Sequence, residues 1–179
     1  MKHKALLSAL VYGVLASIPF LVPGMGWVSL FAMVPLLELA VADDVRHKGW
    51  CIFAAFLVFN LVSTFWIAWI TVPGAITAIV LNALQMYAIL MLFIKSRRHF
   101  KGALPYLFLM AMWLAWERIY QNIEISWPWL ILGNSFATSP KLVQWYEYTG
   151  FLGGSLWVLL SNILIYGLIR SWRRRDGGN

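Results

Sequence analysis

The sequence predicts an all-α integral membrane protein, with about six transmembrane helices and a re-entrant or interfacial segment between helices five and six. Of its 179 residues, 61% are hydrophobic and 12% are charged, whereas about a quarter of the residues in a soluble domain are charged. Several apolar runs have roughly the 20 residues that a helix needs to cross a bilayer. Eleven tryptophans are typical of proteins whose aromatic side chains lie at membrane interfaces.

Six apolar runs, separated by turn-forming or charged residues, are the predicted transmembrane helices. They cover about residues 5–22, 26–42, 50–70, 74–94, 103–123 and 150–170. The first two are joined by the tight turn at 22–26, so a hairpin is expected, with bends at Pro19 and Pro35. Charged segments at 43–49 and 95–102 separate the second span from the third and the fourth from the fifth.

The positions of the basic residues predict the orientation. If the N-terminus is in the cytoplasm, all 14 Lys and Arg residues except Arg118 and Lys141 fall in the inner segments, as the positive-inside rule requires. We therefore expect both termini in the cytoplasm, a polytopic transmembrane domain at 1–172 and a basic cytoplasmic tail at 173–179. The basic start also fits a signal peptide, but no Ala-x-Ala site closes the run, which favours an uncleaved first span.

Residues typical of metal sites and nucleic-acid surfaces are scarce or poorly placed. Cys51 is the single cysteine, and the three histidines lie among basic residues, so no metal or other cofactor is predicted. The net charge of +7 comes from basic residues that interrupt apolar runs, which favours anionic lipid over nucleic acid as a partner. Asn60, Asn82 and Gln85 lie within spans, where hydrogen bonding between helices is expected and the lining of a solute pathway is the alternative.

Glu117, near the outer end of the fifth span, is the candidate functional residue. Ionisable groups are costly in a hydrocarbon layer, so membrane proteins usually keep them where they are paired, hydrated or used. Trp113, Trp116, Glu117 and Tyr120 have the spacing of one helical face. We expect an aromatic face with a carboxylate at its centre; an interfacial aromatic belt with a structural Glu117 salt bridge is the alternative.

The segment around Trp127-Pro128-Trp129 is too apolar for a solvated loop and too short to cross the bilayer. Such a segment re-enters the membrane or lies flat at its surface, where protein must satisfy the backbone. Ser139-Pro140 predicts a helix start, and residues 141–148 are expected to form a short interfacial helix that stops at Gly150. This aromatic face, nearly free of basic charge, favours a lipid or lipidated substrate.

Motifs along essentially the whole chain resemble those of one family. They are Trp116-Glu117, Trp127-Pro128-Trp129-Leu130-x-Leu132-Gly133-Asn134, Gln144-Trp145-Tyr146-Glu147-Tyr148-Thr149-Gly150, Gly153-Gly154-Ser155 with Asn162, and Phe65-Trp66-Ile67-Ala68-Trp69. Together they resemble the membrane region of bacterial apolipoprotein N-acyltransferases. Many relatives carry an arginine three residues after the glutamate; here Tyr120 stands there, which leaves open whether Arg118 takes that role.

The resemblance implies a place in the bacterial cytoplasmic membrane and an activity. The family transfers an acyl chain from a phospholipid to the N-terminal diacylglyceryl-cysteine of a lipoprotein, by means of a Glu-Lys-Cys triad on an extracytoplasmic nitrilase-like domain. These 179 residues hold no such domain. We therefore expect a truncated product or one part of a split enzyme, with a separate nitrilase-like catalytic chain as a partner and no catalytic residue of its own.

The leading hypothesis is the membrane moiety of an apolipoprotein N-acyltransferase, which positions its lipid substrates and is not catalytically competent alone. The alternative is a non-enzymatic lipid-binding or assembly subunit of the membrane. Substrate contacts are predicted at Glu117, Trp116, Tyr120, Trp127, Trp129, Asn134, Gln144 and Tyr148.

Overall fold

The computed structural model describes residues 2–123 and 127–176, and within them all regular secondary structure is helical. Four helical stretches, at Lys4–Leu21, Lys48–Trp69, Val72–Ser96 and Tyr146–Asp176, are long and apolar enough to cross a membrane. The predicted all-α membrane class is therefore confirmed.

Each of the six predicted spans is helical. The α-helices are α1 (Lys2–Leu21), α2 (Ser29–Ala32), α3 (Val34–Val41), α4 (Lys48–Thr64), α5 (Val72–Ser96), α6 (Leu104–Tyr120) and α7 (Tyr146–Asp176). A 3-10 turn at Gly26–Val28 precedes α2, and a 3-10 helix at Phe65–Trp69 continues α4. The helix α7 runs through Asp176, so the start of the predicted basic tail is helical; residues 177–179 lie outside the described part of the chain.

The second predicted span is broken in its middle, and the Asn162 side chain of α7 forms hydrogen bonds with backbone groups at the break. Pro35 lies in the first turn of α3, where its missing N–H costs nothing. The Asn162 side-chain oxygen accepts the Met33 N–H at 2.7 Å, and its amide nitrogen donates to the Ser29 carbonyl at 2.7 Å. An unpaired backbone group there would cost about 1 to 3 kcal/mol. This single amide therefore fixes α2 and α3 to α7.

The helices pack in a bundle in which α1 lies against α4, α4 against α5, and α5 against α6, while α7 contacts α2, α3 and α6. Amide side chains join neighbours, as predicted. Asn82 on α5 donates to Asn60 on α4 at 2.6 Å, and Gln85 on α5 accepts from the Trp116 indole on α6 at 2.9 Å. The predicted hydrogen bonding between helices is confirmed for these three residues.

Residues 127–145, which precede α7, contain short 3-10 turns at Pro128–Leu130, Leu132–Phe136 and Pro140–Leu142. The middle turn buries four of its five residues and packs mainly against α7. The prediction of one continuous helix at 141–148 is wrong, although Gly150 ends a helical turn as predicted. Val143 is non-helical, at φ −130°, and buries its side chain, and α7 starts only at Tyr146. Gly150, at φ 64°, interrupts α7, a backbone conformation that glycine adopts easily.

Candidate functional site

Glu117 is fully buried and holds the loop rather than facing an opening. One of its carboxylate oxygens, Oε1, accepts the Trp113 indole N–H at 3.0 Å and the backbone N–H of Leu132 at 2.9 Å. Trp113 lies one turn earlier on α6, so the helix itself aligns the first donor. No Lys or Arg pairs with Glu117 within residues 2–123 and 127–176, so hydrogen bonds take the place of the salt bridge considered as the alternative.

Gly133, the next loop residue, is bound to α7 by two side chains near the Glu117 carboxylate. The Gly133 N–H donates to the Ser155 hydroxyl at 2.9 Å, and the Gly133 carbonyl accepts from the Tyr146 hydroxyl at 3.0 Å. The Ser155 hydroxyl is fully buried and lies beside the Glu117 carboxylate. We call Trp113, Glu117, Leu132, Gly133, Tyr146 and Ser155 the Glu117 network.

Glycines make this close approach possible. A Cβ on Gly133 would collide with the backbone carbonyl of Phe151, and a Cβ on Gly154 would collide with the Tyr146 hydroxyl. Gly133 therefore lets the loop backbone rest directly on α7, and Gly154 leaves room for the Tyr146 side chain that binds the Gly133 carbonyl.

A groove of about 430 Å³ opens beside the network, between the loop and the start of α7. We call it the loop groove. Its polar lining includes the amides of Asn134 and Gln144, and its apolar lining includes Phe136, Ala137 and Phe151. None of the residues that line it is charged. A pocket of this size and character is in the range that accepts apolar ligands.

Three tryptophans form a cluster next to the groove-forming loop. Trp66, from the 3-10 helix after α4, contacts Trp127 and Trp129, with ring centroids 6.0 and 6.4 Å apart. Trp127 and Trp129 also contact each other at 6.1 Å. The predicted site did not include Trp66, although the aromatic run from Phe65 to Trp69 was the available signal. We call these three residues the tryptophan cluster.

The eight predicted site residues fall into separate places. Glu117 lies beneath the loop. Trp116 stacks on Tyr120, with ring centroids 5.2 Å apart, and donates its indole N–H to Gln85 of α5. Asn134 lines the loop groove and also donates to the Pro128 carbonyl at 2.9 Å, so it supports the Trp-Pro-Trp turn. Gln144 lines the groove, whereas Tyr148 is 87% exposed. Substrate contact by any of the eight stays a prediction.

The residues that could hold a metal do not converge. Within residues 2–123 and 127–176, no three His, Cys, Asp or Glu side chains lie close enough together to form a metal site. Cys51 is partly buried at the first turn of α4, about 20 Å along the helix from Trp66 at 1.5 Å per residue.

Comparison with known proteins identifies the family. The model of the apolipoprotein N-acyltransferase N-terminal domain matches residues 12–164. The apolipoprotein N-acyltransferase of Chlorobaculum tepidum is 33% identical over 141 residues, which are 75% of this chain and 25% of the relative. That of Geobacter metallireducens is 24% identical over 180 residues, 95% of this chain and 34% of the relative.

The chain thus spans about a quarter to a third of the length of these curated relatives. No solved structure matches it significantly. The helical bundle, the motifs on its loop and the match over residues 12–164 lead to one conclusion: the chain belongs to the apolipoprotein N-acyltransferase family, through the N-terminal membrane domain of that family.

Proposed function

We propose that this chain forms the membrane moiety of an apolipoprotein N-acyltransferase and positions lipid substrates at the loop groove. In this role it serves acyl transfer from a phospholipid to the N-terminus of a diacylglyceryl lipoprotein. The observation that carries the proposal is the groove itself, whose volume is about 430 Å³ and whose lining is uncharged. Both proposed substrates are lipids, whose acyl chains can pack against the apolar part of this lining.

The lining of the groove suits an acyl chain with a polar end. Phe136, Ala137 and Phe151 offer apolar contact, while the Asn134 and Gln144 amides can bond ester or amide groups. The nearby tryptophan cluster includes Trp129, which is 60% exposed. Exposed indoles anchor at the level of the lipid headgroups, which favours a groove open to the membrane surface.

The proposed orientation places the loop groove at the outer face of the cytoplasmic membrane. Lys141 is the basic residue of the loop, whereas Arg97, Arg98 and Lys101 follow α5 and Arg170 to Arg175 end α7. The positive-inside rule assigns these basic ends to the cytoplasm. The outer face is also where the proposed lipoprotein substrate would be presented.

Positioning, rather than acyl transfer by this chain alone, is the proposed role because no suitable nucleophile faces the groove. A thioester mechanism needs an activated cysteine. The single cysteine, Cys51, is at the opposite end of α4 from the tryptophan cluster. A catalytic domain of the nitrilase-like type, on the same or a separate chain, would supply the covalent chemistry.

A groove-filling variant tests the assignment. Ala137 is exposed and lines the groove, so Ala137→Trp should fill it without disturbing the core. The matched control is Leu142→Trp, at a 52% exposed position outside the lining. A photoactivatable phospholipid is cross-linked to each purified protein in vesicles, and labelled peptides are identified by mass spectrometry.

We expect labelling within residues 133–151 in the wild type and in the control, and a severalfold loss of that labelling in Ala137→Trp. Labelling that is spread evenly over the lipid-facing helices, and is unchanged by Ala137→Trp, would show that the groove is not a lipid site. Acylation of a diacylglyceryl peptide by the purified chain alone would contradict the positioning role.

A further inference from the structure

A second concave surface lies at the other end of the bundle. Helix α7 rises about 1.5 Å per residue, so Arg170 is about 30 Å from Gly150 and the loop groove. Here a cavity of about 390 Å³ lies between α3 and α7. Its apolar wall includes Val34, Pro35 and Ile169. The arginines that line it are Arg170, Arg173 and Arg174. We call it the arginine cavity.

One of the three arginines is neutralised by an ion pair that also joins the two helices. Arg173 on α7 pairs with Glu38 on α3, and both side chains line the cavity. Arg170 donates to the Tyr166 hydroxyl at 3.4 Å, which holds its guanidinium against the wall. Across residues 2–123 and 127–176, Arg170 and Arg174 have no carboxylate partner within salt-bridge distance.

The positive charge is therefore concentrated in this cavity and not in its neighbour. A second cavity of about 590 Å³ shares Glu38 and Arg173 and is lined in addition by Lys4 and Asp44. The two added charges are opposite in sign. Besides the ion pair, the arginine cavity is lined by two arginines, Tyr166 and apolar side chains. Both cavities have apolar walls, but only the arginine cavity combines its wall with a net positive charge.

We propose that the arginine cavity binds an anionic phospholipid, with Arg170 and Arg174 on the headgroup phosphate and the wall of Pro35 and Ile169 against an acyl chain. Guanidinium groups match phosphate oxygens with paired hydrogen bonds. A soluble anion would use the arginines but would gain nothing from the apolar wall. Trp172, 65% exposed and in the same turns of α7 as these arginines, has the interfacial character expected at the level of the headgroups.

The test is a titration of the purified chain with phosphatidylglycerol in detergent micelles, followed by native mass spectrometry. The double variant Arg170→Gln/Arg174→Gln should bind about thirtyfold more weakly, because each basic side chain near an anionic headgroup contributes about fivefold. Ile169→Trp, which fills the cavity and leaves every charge in place, should also weaken binding severalfold. Zwitterionic phosphatidylcholine, whose choline offsets the charge of its phosphate, should lose less affinity in the double variant than phosphatidylglycerol does.

The matched control is Arg98→Gln/Lys101→Gln, which removes two exposed positive charges from the same end of the bundle, outside the cavity lining. It should change the affinity for phosphatidylglycerol less than threefold, because these exposed charges do not line the cavity and are screened from the headgroup by solvent. The proposal would be overturned if the two double variants lost the same affinity for phosphatidylglycerol, or if Ile169→Trp bound this lipid as tightly as the wild type. Binding of inorganic phosphate as tightly as phosphatidylglycerol would also overturn it, since the apolar wall would then contribute nothing and the ligand would be a free anion.

Discussion

Glu117 is best understood as a connector between α6 and the loop. A carboxylate in a hydrocarbon layer costs several kcal/mol, and hydrogen bonds to a charged group return about 1.5 to 3 kcal/mol each. The bonds from Trp113 and Leu132, both to Oε1, offset part of this cost, while Oε2 is buried without a hydrogen-bond partner among residues 2–123 and 127–176. The bond to the Leu132 N–H also fixes the position of the loop backbone. A salt bridge to a long, flexible lysine side chain would fix that position less tightly.

Removal of this side chain should release the loop. Glu117→Ala leaves the Trp113 indole and the Leu132 N–H without an acceptor, so we expect a loss of about 2 to 4 kcal/mol in the free energy of unfolding. Glu117→Gln keeps an oxygen that accepts both bonds and should lose about 1 kcal/mol or less. The measurement is hydrogen exchange of residues 128–143, together with unfolding in detergent.

The alanine variant should exchange faster at Leu132 and Gly133, while the glutamine variant should stay close to the wild type. If the Leu132 amide is protected equally in Glu117→Ala and in the wild type, the carboxylate does not hold the loop. In that case Glu117 would be free for a direct role toward substrate.

The loop and α7 act as one structural unit, because their backbones touch. Gly133 faces the Phe151 carbonyl and its N–H donates to Ser155, while Gly154 leaves room within α7 for the Tyr146 side chain, whose hydroxyl donates to the Gly133 carbonyl. The 3-10 turns of the loop could not pack this closely on a helix that carried larger side chains. The position of the loop groove, formed by both elements, depends on this contact.

Single methyl groups test the contact. Gly133→Ala and Gly154→Ala should each destabilise the protein by about 1 to 3 kcal/mol, because the added Cβ overpacks the contact. Gly167→Ala, on the same helix with nothing near the added Cβ, should be neutral or stabilise by up to about 1 kcal/mol. Thermal unfolding of the three variants in detergent provides the comparison, and equal melting temperatures would contradict close packing of the loop on α7.

The helices were predictable from sequence because the bilayer sets their length and composition, and residues such as Asn60 and Asn82 stand out in apolar surroundings. The spacing of Trp113 and Glu117 also predicted a shared helical face. The partner of Glu117 on the loop was not predictable, because the Leu132 N–H is a backbone group brought in by tertiary structure. The burial of Val143, which breaks the expected helix at 141–148, likewise depends on contacts that local sequence does not encode.

Taken as a whole, the molecule has chemically different ends about 30 Å apart along α7, close to the thickness of a bilayer core. One end carries the uncharged loop groove and the tryptophan cluster, and the other carries the arginine cavity. The rigid bundle between them, with α7 as the shared element, would hold the proposed substrate lipid at one face and an anionic lipid at the other.

The measurement that tests the central claim most directly is cross-linking of a photoactivatable phospholipid to wild type, Glu117→Ala and Glu117→Gln in vesicles. The claim is that Glu117 maintains the loop groove and that the groove holds lipid. It predicts labelling within residues 133–151 in the wild type and in Glu117→Gln, and a severalfold loss of this labelling in Glu117→Ala. Equal labelling of all three proteins in this segment would contradict it.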